Sequence, residues 1–396
     1  MAPKEQTCLG DYFTSSREKG KVGLPLLSVT LNNGIVQRND LERKTETKIT
    51  PEEHLLVRKG DIAYNMMRVW QGALGRADSD GIVSPAYVVL RAKKDVDSKY
   101  AEYLFNTTKM IYFFWAYSYG ITNDRLRLYF NDFKKIPASL PCIAEQKRIA
   151  KVLLTWDHAL KKTEQLLKNS QQQKKALMQQ LLSGNKRLPG CSGKWKTKRL
   201  ADICSINPPK PSEPTDGLAS FISMDSVSED AKILKSEIRK YSEVSAGFTS
   251  FQNHDVLVAK ITPCFENGKG AYAFGLKNDI GFGSTEFHVL RAKQGNCSQF
   301  IYFLTNTREF RVRGEANMQG SAGQKRVTTS YLKSYKASVP PTLIEQQRIA
   351  QILFSADQEI EALRTKLSCL NQEKKALMQQ LLTGRRRLKV NQQEFA

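Results

Sequence analysis
Asn207-Pro208-Pro209-Lys210 is the first stretch whose residue types and spacing could do chemistry. An asparagine followed by two prolines and an aromatic ring can hold the amino group of a flipped-out base while the ring stacks on it, ready for methyl transfer. Lys210 stands where the ring is needed, and no glycine-rich loop opening a helix lies upstream to hold a methyl donor. The stretch therefore reads as a proline-rich loop. Asp225 with Asp230-Ala231-Lys232 has the residue types of a nuclease carboxylate set, in a pattern that chance supplies cheaply. No Gly-x-x-x-x-Gly-Lys loop is present to cradle phosphates, so the chain is expected to hydrolyse no nucleotide. The 4 histidines form no His-x-x-x-His pair, and the 7 cysteines (Cys8, Cys142, Cys191, Cys204, Cys264, Cys297, Cys369) never fall as Cys-x-x-Cys. No metal site is expected from them, and their odd number and scatter fit free thiols in a reducing cytosol.

The charge points to a partner instead. Lys and Arg total 61 against 39 Asp and Glu, a formal charge of +22. Such an excess suits a polyanion, because neutralising phosphates releases condensed counterions. Membrane association is not expected, since no run approaches the ~18 apolar residues of a spanning helix. The aromatic stretch Met110 to Tyr119 reads as a short buried helix, and the N-terminal residues show no basic region followed by an apolar one. A chain of 396 residues is expected to form two or three domains.

The elements that must position any binding residues come in two copies. Lys174 to Leu182 and Lys374 to Leu382 are the same nonapeptide, KKALMQQLL. Upstream, Ile143 to Asp157 faces Ile344 to Asp357, VLRAK recurs at Val89 and Val289, Ser98 to Thr107 faces Ser298 to Thr307, and Leu9-Gly10-Asp11 faces Leu200-Ala201-Asp202. A period this long is a duplicated domain with its connector, not a solenoid unit. The copies are nearly identical where each ends and diverge elsewhere. Gly60 to Asp78 and His254 to Tyr272 share an apolar skeleton but carry different polar residues, as two modules reading two targets would.

Each connector carries a mostly apolar seam of positions seven apart, weakened in the first at Thr163, Ser170 and Lys174. Ile149, Trp156, Thr163, Ser170, Leu177 and Leu153, Leu160, Leu167, Lys174, Leu181 run through the first. Ile349, Ala356, Leu363, Leu370, Leu377 and Leu353, Ile360, Leu367, Lys374, Leu381 run through the second. This is a coiled-coil seam on helices of about 40 residues, with Pro141 and Pro340-Pro341 before the starts and Gly184 and Gly384 at the stops. Pairing with each other, with partner helices or in a homodimer all satisfy the pattern. Antiparallel pairing inside one chain is the most economical.

The two variable regions read as mixed α/β. Strands are expected over Leu24 to Leu31, Asp61 to Met66, Ile82 to Leu90, Phe221 to Met224, Asp255 to Ile261 and Glu286 to Leu290, with helices over Ser98 to Thr108 and Ser298 to Arg311. Two loops per region combine glycine, short polar side chains and cations, which suits phosphate contact and base-edge hydrogen bonding. From the glycine loops the candidates are Asn123, Arg125 and Arg127, and Gln324, Lys325 and Arg326. From the hairpin-like loops they are Arg68, Trp70 and Gln71, and Lys260, Thr262, Asn267 and Lys269.

Taken together these features resemble one family, the specificity subunits of type I restriction-modification systems. The resemblance spans essentially the whole chain. It is carried by Glu145-Gln146-Lys147-Arg148-Ile149-Ala150 with Leu177 to Gly184, and by Glu345-Gln346-Gln347-Arg348-Ile349-Ala350 with Leu377 to Gly384. It implies two target recognition domains (1–140 and 191–341), a central helical connector (141–190) and a distal helix with a basic tail (342–396), in a pseudo-twofold α+β architecture with two antiparallel coiled-coil helices. Each recognition domain would read half of a split, asymmetric duplex DNA site, and the helices would set the spacer and dock two modification subunits. Restriction subunits would join them. Partner-facing or coiled-coil residues would be Glu145, Gln146, Ile149, Leu153, Trp156, Leu160, Leu177, Leu181, Glu345, Gln346, Ile349, Leu353, Leu363, Leu377 and Leu381. Adenosylmethionine, ATP and Mg would belong to those partners and none to this chain. Two other readings stay open: a lone methyltransferase or nuclease with a degenerate motif at Asn207, and an architectural coiled-coil protein that bridges DNA without sequence preference.

Overall fold
The computed structural model describes residues 7–31, 33–41, 49–122, 125–321 and 323–388. The chain divides into two compact units, Met1–Glu164 with Lys366–Ala396, and Gln165–Thr365. The first is centred on an antiparallel sheet ordered Phe13–Ser16, Tyr87–Ala92, Ile62–Asn65, Leu74–Arg76. The second repeats that order with Cys204–Ile206, Phe287–Ala292, Val256–Ala259 and Gly270–Tyr272. It has a second sheet, Glu237–Lys240, Leu218–Ile222, Ile280–Gly283, Thr249–Gln252, with one parallel pair, where the first unit has the ladders Leu27–Val29 with Ile35–Gln37 and Leu55–Val57 with Gly81–Val83, joined by a parallel bridge between Leu26 and Ile82. In the first unit Phe133 is fully buried among the rings of Phe13, Tyr64, Phe105 and Phe114, each such side chain contributing about 1.5–3 kcal/mol by leaving water.

The repeated pentapeptide VLRAK is explained by two pins used in both units. Arg91 pairs with the buried Asp61 at 3.4 Å, and Arg291 with the buried Asp255 at 2.7 Å. Lys93 donates to the Gly10 carbonyl and Lys293 to that of Ala201, at 2.9 and 2.6 Å. Those acceptors sit in the short helices Leu9–Tyr12 and Leu200–Ile203, where Asp11 and Asp202 accept the backbone N–H of Cys8 and Arg199.

Three expectations are corrected. The run Ile82 to Leu90 is two strands, Gly81–Val83 and Tyr87–Ala92, in different sheets, because Pro85 interrupts the ladder. The helices expected to Thr108 and Arg311 stop early. In each copy a threonine, Thr107 or Thr307, caps a second helix, Thr108–Ala116 or Arg308–Ala316. The aromatic stretch after Met110 is only half buried: Met110 and Phe114 face the core, while Tyr112, Trp115 and Tyr119 are exposed.

The long helices run Ile143–Leu181 and Leu343–Leu382, and Gly184 and Gly384 end them with φ of 75° and 72°, a backbone state that glycine adopts without steric cost. Each unit pairs the start of one helix with the end of the other. In the first unit Ile149, Ala150 and Leu153 cluster with Leu381 and Leu382, and Asp157 pairs with Lys374. In the second, Ile349, Ala350 and Leu353 join the core that holds Leu181 and Leu182, and Lys174 pairs with Asp357. Contacts ascend one helix as they descend the other, so the pairing in each unit is antiparallel and within the chain. Apolar seam positions supply the packing, and Leu160 and Ile360 are buried while Trp156, Leu177, Leu363 and Leu377 are half-buried. The weak positions are buried too: Thr163 donates to the Ala159 carbonyl at 2.8 Å, and Ser170 to Glu359 at 3.0 Å. Among the described residues no helix is long and apolar enough to cross a membrane.

Candidate nucleic-acid interface
In both units the fold joins the two candidate loops. In the second, the Val327 N–H donates to the Lys260 carbonyl at 2.9 Å and the Thr262 N–H to that of Lys325 at 3.0 Å. In the first, the Leu128 N–H donates to the Met66 carbonyl at 3.0 Å, and Tyr119 and Arg127 exchange backbone hydrogen bonds across the glycine loop. Each unit thus presents one composite surface built from segments distant in sequence.

The candidates divide by what their side chains already hold. Arg68, Gln71 and Arg125 are exposed with no side-chain partner among the described residues, and so are Gln324 and Lys325. Arg127 reaches the Tyr129 hydroxyl at 3.5 Å, and the half-buried Trp70 donates to the Met67 carbonyl at 3.0 Å. Arg326 is engaged in a two-point pair with Glu286, its Nη2 at 2.8 Å. Lys260 donates to the Thr285 carbonyl at 2.7 Å, and its burial lowers its pKa. Thr262 donates to Glu266 and Asn267 to Glu229, at 2.7 and 2.8 Å, and Lys269 to the Met224 carbonyl at 3.3 Å. These side chains shape the loops. Asn123 lies outside the described residues.

Tyr112, Trp115 and Tyr119, expected within a buried helix, and the fully exposed Ile121 were not among the binding candidates. Helical spacing was the available signal: Met110 and Phe114 are four apart and fill the core, which turns Tyr112 and Trp115 off that face.

Asn207 is held by its neighbours. It adopts φ 52°, accepts the Val289 N–H at 3.0 Å, and its amide nitrogen lies 3.3 Å from Nδ1 of His288. Nε2 of His288 lies 2.8 Å from the Val327 carbonyl, which can only accept, so Nε2 carries the proton and Nδ1 accepts from Asn207. Burial pushes the His288 pKa down to about 4. The other suspected chemical set does not assemble, since Asp230 pairs with Arg364 and Lys232 with Glu361, both on the second long helix. No group of three or more metal-ligating side chains occurs among the described residues.

The glutamate and glutamine that open each long helix are buried and bound within their own unit. Glu345 takes a two-point pair from Arg187, with Nε at 2.7 Å and Nη2 at 2.9 Å, and a hydrogen bond from Trp195. Glu145 pairs with Arg387 at 2.9 Å. Gln146 holds the Asp97 N–H and the Asp95 and Pro141 carbonyls, and Gln346 accepts the Cys297 N–H at 2.8 Å. They fasten the helix starts to their domains.

This duplicated frame with its paired loops has counterparts among known proteins. A family model described as the type I restriction modification DNA specificity domain matches residues 9–169 and 192–372, and the chain belongs to that family with the domain present twice. The specificity subunits of the type I restriction enzymes EcoEI and EcoAI of Escherichia coli are 37% and 40% identical over 170 and 171 residues, 41% of this chain in each case. The matches span 28% and 29% of those relatives' lengths. The crystal structure of the type I restriction-modification system S subunit from M. genitalium has the same fold, with a TM-score of 0.57 over 96% of this chain and 98% of that one at 12% identity.

Proposed function
We propose that this chain is the DNA-reading subunit of a type I restriction-modification complex, not catalytic by itself, with each unit reading one half of an asymmetric bipartite duplex site. The observation that carries the reading is the composite loop surface. On a repeated frame, two distant loops converge, and the surface carries side chains of different chemistry with no partner among the described residues, Arg68, Gln71 and Arg125 in one unit and Gln324 and Lys325 in the other. Arginine and lysine suit guanine edges and phosphates, and glutamine suits adenine. The formal charge of +22 supports strong, salt-dependent attraction to the backbone.

Two modification subunits are the proposed protein partners, with restriction subunits beyond them, and the long helices set the spacer. The repeated nonapeptide supports docking on those helices. Lys175, Ala176, Gln179 and Gln180 are exposed, as are Lys375, Ala376, Gln379 and Gln380. Packing does not require identity at such positions, whereas two copies of one partner would. Adenosylmethionine, ATP and Mg are proposed to act on the partner subunits.

The test is to map methylated adenines genome-wide in the native host with and without this chain. Loss of one bipartite motif supports the proposal, whereas unchanged methylation removes it. With the motif known, Arg125→Ala is expected to weaken binding at the first half-site by roughly tenfold, consistent with the ~1–3 kcal/mol of a good bidentate contact, and to leave the second intact in a footprinting titration. Equal protection of both halves would remove Arg125 from the reading surface. Competition by unrelated duplex as effective as the target would favour a non-specific architectural protein.

A further inference from the structure
Arg311, 9% exposed, is the only buried lysine or arginine among the described residues. No carboxylate meets it. Its Nη1 donates to the Phe265 carbonyl at 3.1 Å, and its Nη2 to the Gly268 carbonyl at 3.2 Å and to Oδ1 of Asn306 at 3.0 Å. The guanidinium lies 5.0 Å from the Phe265 ring centroid, and Nε has no partner. Burying a cation this way is costly, and burial lowers its pKa to about 10. An aliphatic side chain would pack more cheaply.

The other unit holds such a side chain at the matching position. Aligning Ser98 to Thr107 with Ser298 to Thr307 places Ile111 opposite Arg311. Ile111 lies against the corresponding hairpin loop, its Cδ1 3.8 Å from where a Cβ on Gly72 would stand. One helix position therefore props the hairpin loop in both units, by an apolar contact in one and by hydrogen bonds to loop carbonyls in the other. The register pairs Tyr64 with Leu74 but Val258 with Gly270, so the second loop is two residues longer and has more conformations to exclude. Arg311 holds it on both sides of Asn267. Gly314 leaves room for Phe265 below, since a Cβ there would come within 2.2 Å of the ring.

We propose that Arg311 is a positioning residue for target reading by the second unit: buried beneath the loop, it fixes residues 261–269, whose Thr262 N–H holds the Lys325 carbonyl, and so sets where Gln324 and Lys325 meet the bases. The proposal rests on the DNA-reading function above. Its test uses the complete complex in the host, with genomic DNA as the probe and the methylated motif as the readout, for wild type, Arg311→Met and Arg311→Lys. Arg311→Met is expected to make the half-site that Arg125→Ala spares degenerate at one or more positions, with discrimination falling at least tenfold, and to leave the other half unchanged. Arg311→Lys, which keeps a donor, is expected to restore part of the discrimination. A motif unchanged in both halves overturns the proposal. If Arg311→Met does not fold, Asn306→Ala carries the same test, because it frees Nη2 from one partner, and an unchanged motif there counts equally against it. Hydrogen exchange across 261–269 in the isolated chain should rise in Arg311→Met whether or not the chain reads DNA, which separates a failed clamp from a failed function.

Discussion
Glu345→Ala is expected to destabilise the second unit by about 3 kcal/mol, at the lower end of the range for breaking a buried ion pair. The Glu345 side chain is 1% exposed, and its loss takes the carboxylate from Arg187, which keeps the Ser192 and Gly193 carbonyls, and leaves the Trp195 N–H without its acceptor. Arg187 is 30% exposed and recovers some hydration, which sets the estimate low in that range. The matching change in the first unit should cost less. Arg387, the partner of Glu145, is 66% exposed and screened, so Glu145→Ala is expected to cost about 1 kcal/mol. Hydrogen exchange resolved by peptide across the two helix starts, in mild denaturant, measures both. Equal losses would show that the extra contacts of Glu345 add nothing.

The second large effect is a dependence on pH. Folded, His288 stays neutral until about pH 4, while in the unfolded chain it takes a proton near its ordinary pKa of 6.5. As pH falls through this window only the unfolded chain gains the proton, so stability falls by up to about 1.4 kcal/mol per pH unit and about 3 kcal/mol in all. The contribution is fully present above pH 6.5, and no further loss comes from this group below pH 4. Denaturant titrations of wild type and His288→Gln between pH 7 and 5 isolate it, before most carboxylates titrate. Parallel stability curves for the two proteins would refute the assignment.

The long helices were legible because heptad spacing is a local property, and the glycines that stop them are visible in one dimension. What fills the weak seam positions was not. Lys174 and Lys374 look like defects until Asp357 and Asp157 arrive from the other helix, and only the fold supplies the partner. The same limit applies to the surface. Sequence chemistry nominated two loops in each unit but could not show that backbone hydrogen bonds join them, nor that Glu286 already occupies Arg326. Asn207 drew attention for its neighbours' identity, while its role as a clamp on Val289 and His288 depends on residues more than eighty positions away. Arg311 was unremarkable as one cation among 61, because burial cannot be read from composition.

The division of the chain also bears on its order of synthesis. The second unit, Gln165–Thr365, is contiguous, whereas the first needs Lys366 onward to complete its packing. A ribosome makes Lys374, Leu381 and Leu382 only after the whole of the second unit, so the unit begun first is completed after the other. Until then Ile149, Ala150 and Leu153 at its helix start lack the Leu381 and Leu382 they pack against. Closure of the first unit therefore waits on the whole of the second having been made.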